Sequence, residues 1–502
     1  MTFVFFFLSL VYLSLLGFSK LYKKIILKNN DNTLSNLEVF YGIFVLIFFS
    51  NIINLILPLK YFSYALLALG LFFFLYYVIT KQINLTNFTS LFIILFFLIF
   101  ISSHQSPNID SEVYHLQIIN KAYSQKIVFG FANLEEKYGM TSVWQIFLGL
   151  FYINILNFKI VYFINLIPLA IFFNQAFIEI NKKNSNSKNF LILASSFILL
   201  FSIIHPSNNG IILNHLGSVE VDLLCGFLFI LSIYVGFKLI ENYNLSDFHI
   251  LFILTAIVIL SKPSYIVLAI FPLIISYIIK KKLFNLTNYL LLVLLFLFFL
   301  RGFITSGCLI FPSALTCFDT FWSLDTETVS RYENIILGFA RDKMRYTDFE
   351  YVIYSSDWVL PWVKNYFLKT SLLQIFIISA FISFIISIYL KLKNIKFLQF
   401  NYYLILFFLL ICSLFWLRAP EVRFGYGTLI SLMIFFPTIF LNIFINKFKI
   451  NNFYYNIILI LPLLLIMKNI QNHNYLFENY SPVFEYKYKT FFPSDLNIVQ
   501  IA

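Results

Sequence analysis

Apolar runs about as long as a bilayer is thick recur from one end of the chain to the other, separated by short polar turns. YFSYALLALGLFFFLYYVIT over 61–80 and DLLCGFLFILSIYVGFKLI over 222–240 show the form. Neither alternates with the period of two that a barrel strand requires, and a chain in hydrocarbon must pair its own backbone groups. The runs therefore predict transmembrane α-helices. About fourteen spans are expected, near 3–19, 38–58, 61–80, 86–103, 159–178, 189–205, 221–240, 248–261, 265–279, 286–302, 366–390, 398–417, 424–445 and 453–468. MTSVWQIFLGLFYI (140–153) is apolar too, but at about fourteen residues it is short for a crossing. It predicts an interfacial or re-entrant helix within an outer loop, with Trp144 at headgroup level.

Lysine sets the orientation. With these spans, KLYKK (20–24), KKNSNSK (182–188), KKK (280–282), KLKNIK (391–396) and KFK (447–449) all fall on one side. The positive-inside rule makes that side cytoplasmic. The outer face then carries loops at 104–158, 206–220 and 303–365, the connection at 418–423 and a tail from 469. Residues 3–19 lack a basic leader and a small-residue cleavage site, which predicts a retained helix. No Gly/Ser linker, heptad or solenoid repeat interrupts the pattern, so one integral domain is expected.

Composition agrees with this pattern. The chain is 60% hydrophobic and 12% charged, a balance that would leave a soluble domain with large exposed apolar patches. The formal charge of +12 does not imply a nucleic-acid partner, because the basic residues are spread over short loops without a stripe. Abundant Phe and Lys with scarce Arg read as an AT-rich coding bias.

That scarcity makes the arginines informative. Arg301, Arg331, Arg341, Arg345, Arg418 and Arg423 all fall on the outer side. Arginine grips phosphate bidentately and keeps its charge at low dielectric. Arg301, Arg418 and Arg423 hug helix ends, whereas the other three sit in a long loop that tolerates any charge.

Four polar clusters carry the candidate chemistry. NIDSEVYHLQ (108–117) follows the fourth span; if 110–121 is one helix, Asp110, Tyr114, Gln117 and Lys121 share a face. Asp before Ser-Glu is also a good helix cap, so spacing leaves both readings open. LGSVEVDLLCG (216–226) puts Glu220 and Asp222 where the seventh span begins, a place the helix dipole alone would favour. One helical hairpin (159–205) separates the two motifs, so they can meet. Two carboxylates facing one cavity suit a general base with a metal ligand or an acceptor-holding group, and the cation to look for is Mg or Mn. Lys262 in ILSKPSYIV marks a broken helix or a plain turn at the outer surface. Arg418, Glu421 and Arg423 crowd the short connection in FWLRAPEVRFGYG, where Glu421 is either a ligand or a neutraliser of its neighbours.

Histidine and cysteine add less. His115 and His205 lack the paired spacing of a zinc site, and His115 reads as a hydrogen-bonding site residue. Cys308 and Cys317 lie in the long outer loop, where a disulfide would contribute roughly 2–3 kcal/mol. Cys225 and Cys412 fall within spans and are expected to be inert.

Together these motifs resemble the GT-C superfamily of integral-membrane glycosyltransferases, which take sugars from polyprenyl-phosphate carriers. Its members include protein O-mannosyltransferases and aminoarabinose transferases of lipid A. The resemblance rests on Asp110 in DSEVYHL in the first large outer loop, the juxtamembrane WQIFLGLF, the EVD motif at 220–222 and the lysine in SKPS. It covers roughly 86–300, with a weaker echo at CLIFP and RAPEVRFG, and looks most like a bacterial branch. Three extra spans precede the first motif, and the tail after 468 is too short for the soluble outer domain of some members.

The resemblance implies an all-α polytopic fold. Residues 1–85 would be extra N-terminal helices, and 86–302 a GT-C-like catalytic core with outer loops 104–158 and 206–220. Residues 303–365 would be a long outer loop, 366–468 C-terminal spans and 469–502 an outer tail. The protein would sit in a bacterial cytoplasmic membrane with its site outward. It would move a sugar, with inversion, from a polyprenyl-phosphate donor to a lipid, glycan or protein acceptor, with the polyprenyl chain in an apolar groove between spans and membrane lipids around the protein. Asp110 would be the base; Arg418, Arg423, Lys262 and Arg301 would hold the donor phosphate. Glu112, Tyr114 and His115 would bind acceptor or sugar, and Glu220 or Asp222 an acceptor or divalent cation.

Two rivals stand beside this reading. A surface-polysaccharide polymerase or ligase would place its chemistry on Arg331, Arg341 and Arg345 in the 303–365 loop. A transporter or lipid flippase would need ionisable groups near the bilayer midplane, whereas the polar clusters sit at span ends.

Overall fold

The computed structural model describes residues 2–28, 34–83, 88–102, 110–155, 158–204, 216–281, 286–368 and 400–448, with isolated positions at Ile378, Phe381, Ile385 and Tyr455. Helices α1 (Thr2–Ile25), α2 (Val39–Ile56), α3 (Ser63–Ile79) and α4 (Thr89–Ser102) form the N-terminal group. Short helices α5 (Leu116–Ser124) and α6 (Val143–Gly149) lie in the first polar loop. Next come α7 (Leu166–Ile180), α8 (Asn186–Ile204), α9 (Asp222–Glu241), α10 (Leu245–Ser261), α11 (Ile270–Ile279) and α12 (Leu286–Ser306). The long loop holds α13 (Thr326–Arg341) and α14 (Val359–Trp362), and α15 (Phe400–Trp416) and α16 (Tyr426–Phe448) follow. Among the described residues the strand content is a two-residue antiparallel ladder, Asn154–Ile155 with Phe158–Lys159.

Among the described residues, six helical segments are long and apolar enough to cross a membrane: Thr2–Ile25, Asn36–Ile56, Ile160–Ile180, Asp222–Glu241, Leu286–Ser306 and Tyr426–Ile445. Shorter apolar helices accompany them at Ser63–Ile79, Thr89–Ser102, Leu245–Ser261, Pro263–Ile279 and Phe400–Trp416. The chain is thus an all-helical, multi-pass membrane protein. The segments ending in α7 and beginning α9 are 89% buried and form the centre, whereas the other four, at 50–61%, keep a side for lipid. The expected spans at 366–390 and 453–468 lie almost wholly outside the described residues, as do His205 and the tail from 469.

With no hydrophobic drive between helices in lipid, close backbone approach holds the bundle together. A Cβ on Gly17 of α1 would stand 2.0 Å from the Gly70 carbonyl oxygen of α3, so these two helices touch through their backbones. A Cβ on Gly427 would lie 2.6 Å from Phe229 Cβ on α9. That second contact fixes the start of α16 against α9, just after Arg423.

The antiparallel pair α9 and α10 has an ion pair at each end. Lys262 meets Asp222 at one end, and Lys238 meets Asp247 at 2.8 Å at the other. At the α-helical rise, the stretch of α9 from Asp222 to Lys238 separates these pairs by about 24 Å. The Lys238 end is also where Lys182 pairs with Glu179, whose carboxylate accepts from Tyr234 Oη. Lysines of the expected cytoplasmic loops are therefore partly structural; Lys188, fully buried, donates to the Ile180 and Lys182 carbonyls.

One detail differs from expectation. The 140–153 segment does contain a short helix, α6, but every residue of it is buried. Trp144 is fully enclosed by protein and donates to Asn165 Oδ1 at 2.7 Å, so it is a packing residue and not a headgroup anchor. The long loop is ordered as a roof: Asp325 caps α13 by accepting from the Thr328 N–H at 2.7 Å, and α13 turns Val329 and Tyr332 inward.

Cys308 and Cys317 are disulfide-bonded across nine residues of sequence, while Cys225 and Cys412 are buried thiols. Alkylation of the denatured, unreduced protein is expected to label only Cys225 and Cys412. Reduction should expose all four cysteines and lower stability by about 2–3 kcal/mol, the value of closing so short a loop.

Candidate functional site

The first polar motif is not one continuous helix. Ser111–His115 form a π turn before α5 begins at Leu116. The wider turn breaks the expected four-three-four spacing, and such bulges often mark functional sites. Asp110, Tyr114 and His115 line one cavity; Gln117 is not on its wall and Lys121 borders another. Asp110 is not a helix cap either, because its backbone is helical and its carboxylate makes no capping bond. Its Oδ2 accepts from Arg423 Nη1 at 2.6 Å.

Arg423 reaches a second carboxylate. Its Nε lies 3.9 Å from Asp222 Oδ2, and Lys262 Nζ stands 2.5 Å from Asp222 Oδ1. Asp110, Arg423, Asp222 and Lys262 thus alternate in sign along one wall. Each is delivered by a break between helices. Asp222 opens α9, Lys262 ends α10 in extended conformation where Pro263 interrupts the hydrogen-bond ladder, and Arg423 sits in the turn Val422–Phe424 before α16. Lys262 Nζ also lies 4.5 Å from the Phe424 ring centroid.

The cavity holds about 590 Å³. Lys137, Glu333 and Arg418 add charge to its wall, and Phe229, Leu268, Ile336, Phe339 and Trp416 supply an apolar flank. Cations and a large apolar lining in one cavity suit an amphiphile with an anionic head.

The surroundings set the protonation of three groups. Burial alone would pull the Arg423 guanidinium down, but Asp222 and Asp110 outweigh it and hold its pKa above the ordinary value. Burial, reinforced by Asp110 and Asp222, pushes the Tyr114 phenol well up, so it stays a hydroxyl donor at neutral pH. Burial pushes His115 down to about 4, against the opposing pull of Asp222 and Asp110. Gln145 Nε2 contacts His115 Nδ1; with the amide donating, the ring proton sits on Nε2.

A pH dependence follows for His115. The unfolded chain takes up this proton near the ordinary value of 6.5, the folded protein near 4. The stabilisation is therefore full above 6.5 and is lost as pH falls from 6.5 towards 4, by about 3 kcal/mol in all. Unfolding followed across that window should show the slope in the wild type and a reduced slope in His115→Gln.

The remaining expected residues are scattered. Arg418 lines the cavity but is largely exposed and pairs with Glu333 at 3.3 Å. Arg301 does not join Arg423; it lines a separate, smaller cavity and donates to Asn54 Oδ1 at 3.0 Å. Glu112 and Glu220 are off the cavity wall, and Glu112 acts on Lys159 through its charge. Arg331, Arg341 and Arg345 are engaged elsewhere: with Glu136 at 2.9 Å, with the Val352 carbonyl at 2.6 Å and with Asp348 at 2.6 Å.

Asn165 went unnoticed in the sequence, although it organises the second acidic motif. Its amide donates to the Ser218 and Glu220 carbonyls at 2.8 and 3.0 Å while Trp144 holds its oxygen. Ser111 Oγ and Ser218 Oγ, 2.6 Å apart, join the two acidic motifs directly. The one signal in the sequence was a polar Asn165 inside the apolar run expected as the span 159–178.

A divalent cation fits this arrangement poorly. Among the described residues no group of three or more His, Cys, Asp or Glu could hold a metal. The two carboxylates of the wall already face Arg423 and Lys262, which would repel a cation placed between them.

The family described as Domain of unknown function (DUF8201) matches residues 1–430, a range holding every residue that lines the cavity. The chain belongs to this family. No curated protein and no solved structure matches it.

Proposed function

We propose that this DUF8201 protein is an inverting glycosyltransferase that moves a sugar from a polyprenyl-phosphate carrier to an acceptor hydroxyl. The observation that carries the reading is the alternation of Asp110, Arg423, Asp222 and Lys262 on the wall of a cavity that also has a large apolar lining. The donor phosphate takes Arg423 and Lys262, and the polyprenyl chain follows the apolar flank. Its arrival draws Arg423 from Asp110, which frees that carboxylate to act as base. Asp110 accepts the proton of the acceptor hydroxyl, the new bond forms from that oxygen to the anomeric carbon, and the bond from that carbon to the phosphate oxygen breaks. The electron pair leaves on the polyprenyl phosphate, where Arg423 stabilises the growing charge. Tyr114 and neutral His115 donate hydrogen bonds to sugar or acceptor. No step requires a metal.

The GT-C resemblance, the fourteen-span topology and an outward-facing site in a bacterial cytoplasmic membrane belong to the same proposal. The Cys308–Cys317 disulfide supports the orientation, since such bonds persist in oxidising compartments. A polymerase or ligase run by the 303–365 loop has less support, because Arg331, Arg341 and Arg345 do not line the cavity and each is held by a protein group. A transporter has less support still, since the charged wall lies at helix ends.

Donor class is tested by native mass spectrometry of the purified protein with a polyprenyl phosphate and, as control, the uncharged polyprenol. The wild type should retain the phosphate preferentially. Arg423→Gln should weaken that retention about tenfold or more, the worth of one charged hydrogen bond. Equal retention of phosphate and polyprenol by the wild type would remove the donor assignment.

A further inference from the structure

Arg301 has a use that the reaction cavity does not supply. It lies near the end of α12 and is 5% exposed. Nη1 is satisfied by Asn54, but Nη2 is buried without a hydrogen-bond partner among the described residues. A buried guanidinium with an idle donor is costly, and an anion is the ligand that removes the cost.

The second cavity has the composition such a ligand needs. Arg301 shares its wall with Lys121 and Lys126, beside Asn54, Thr141 and Ser142, and among the described residues no acidic side chain lines it. Lys121 is half-buried, its Nζ 5.4 Å from the Phe131 ring centroid, and burial holds its ammonium below the ordinary value. A neighbouring anion would relieve that as well. The cavity is a partly open pocket of about 30 Å³, room for roughly two water-sized groups. Two oxygens of a phosphate fit there, and its remaining atoms would reach exposed Lys126 at the mouth. The planar fork of Arg301 matches two such oxygens better than a point cation does.

We infer that this second cavity binds a phosphate group, with Arg301 and Lys121 as inner ligands and Lys126 at the entrance. The inference goes beyond sugar transfer and does not depend on it. The phosphate comes from an anionic lipid headgroup or from free phosphate; the chemistry of recognition is the same. Met140, Thr141 and Ser142 line both cavities, and the Ser142 side chain accepts from the Gln145 N–H at the start of α6. Occupation of the second site therefore braces the wall that carries Gln145 and, through it, His115.

Thermal unfolding in phosphate-free buffer tests this with wild type, Arg301→Gln, Lys121→Gln and Arg423→Gln. Inorganic phosphate is titrated into protein in neutral detergent. Separate samples use nanodiscs of phosphatidylcholine with or without phosphatidylglycerol. The wild-type midpoint should rise in at least one arm, and which arm responds identifies the source. Lys121→Gln and Arg301→Gln should weaken the response about tenfold, while Arg423→Gln keeps a response that saturates. Lys121 is half-exposed, so its variant carries the test if Arg301→Gln does not fold. No shift in any wild-type arm overturns the inference. So does a shift that Arg423→Gln abolishes and Lys121→Gln leaves intact. Loss of polyprenyl-phosphate retention would instead count against the reaction cavity alone.

Discussion

Asp110→Asn is expected to lower sugar transfer by about 10²–10⁴-fold while leaving the protein folded and inserted. The size follows from the role: an amide cannot take the acceptor proton in the transition state. Folding should survive because the Asn oxygen still accepts from Arg423, and Arg423 keeps its second carboxylate, Asp222. The Asp110 side chain is also 34% exposed, so water can complete its hydrogen bonding. Retention of polyprenyl phosphate should be unchanged or improved, since Arg423 becomes easier to detach. A variant that folds, binds donor and transfers at the wild-type rate would remove Asp110 as the base.

Arg423→Gln should be the more destructive change, because it fails in two ways at once. It removes the cation proposed to face the donor phosphate, and it leaves Asp110 and Asp222 without the charge between them. Breaking one partner of a buried pair leaves an uncompensated charge, here worth about 2–3 kcal/mol given that Arg423 remains 23% exposed. The double variant Arg423→Gln with Asp110→Asn should recover part of that stability, since one orphaned carboxylate is gone, but none of the activity. Chemical unfolding of the two single variants and the double measures the coupling, and strict additivity would mean that the 2.6 Å contact contributes nothing.

The parts of this site that were legible in the sequence are those where polarity interrupts an apolar run. Asp222, Lys262 and Arg423 each stand at a helix boundary, and a charge there shows against a nearly uncharged background. What hydropathy does not encode is which side of a helix faces protein. Lipid and protein interior are equally apolar, so Trp144 read as an interface residue although it is buried beside Asn165. The π turn at Ser111–His115 was hidden for a different reason. Four- and five-residue turns share one local composition, and tertiary contacts such as Ser111 with Ser218 accompany the wider one. Arg301 and Arg423 both hug helix ends, yet only three-dimensional packing separates them into two cavities. Tyr332 and Glu333 belong to an amphipathic helix typical of a solvated loop, and their place on the cavity wall depends on α13 folding back as a roof.

The central claim is sugar transfer with Asp110 as base, and comparative mass spectrometry of envelope glycolipids and glycoproteins tests it most directly. Cells with the wild-type protein, cells without it and cells with Asp110→Asn at equal abundance are compared. One sugar residue should be lost when the protein is absent, and Asp110→Asn should not restore it. Unchanged glycans without the protein, or full restoration by Asp110→Asn, would contradict the claim.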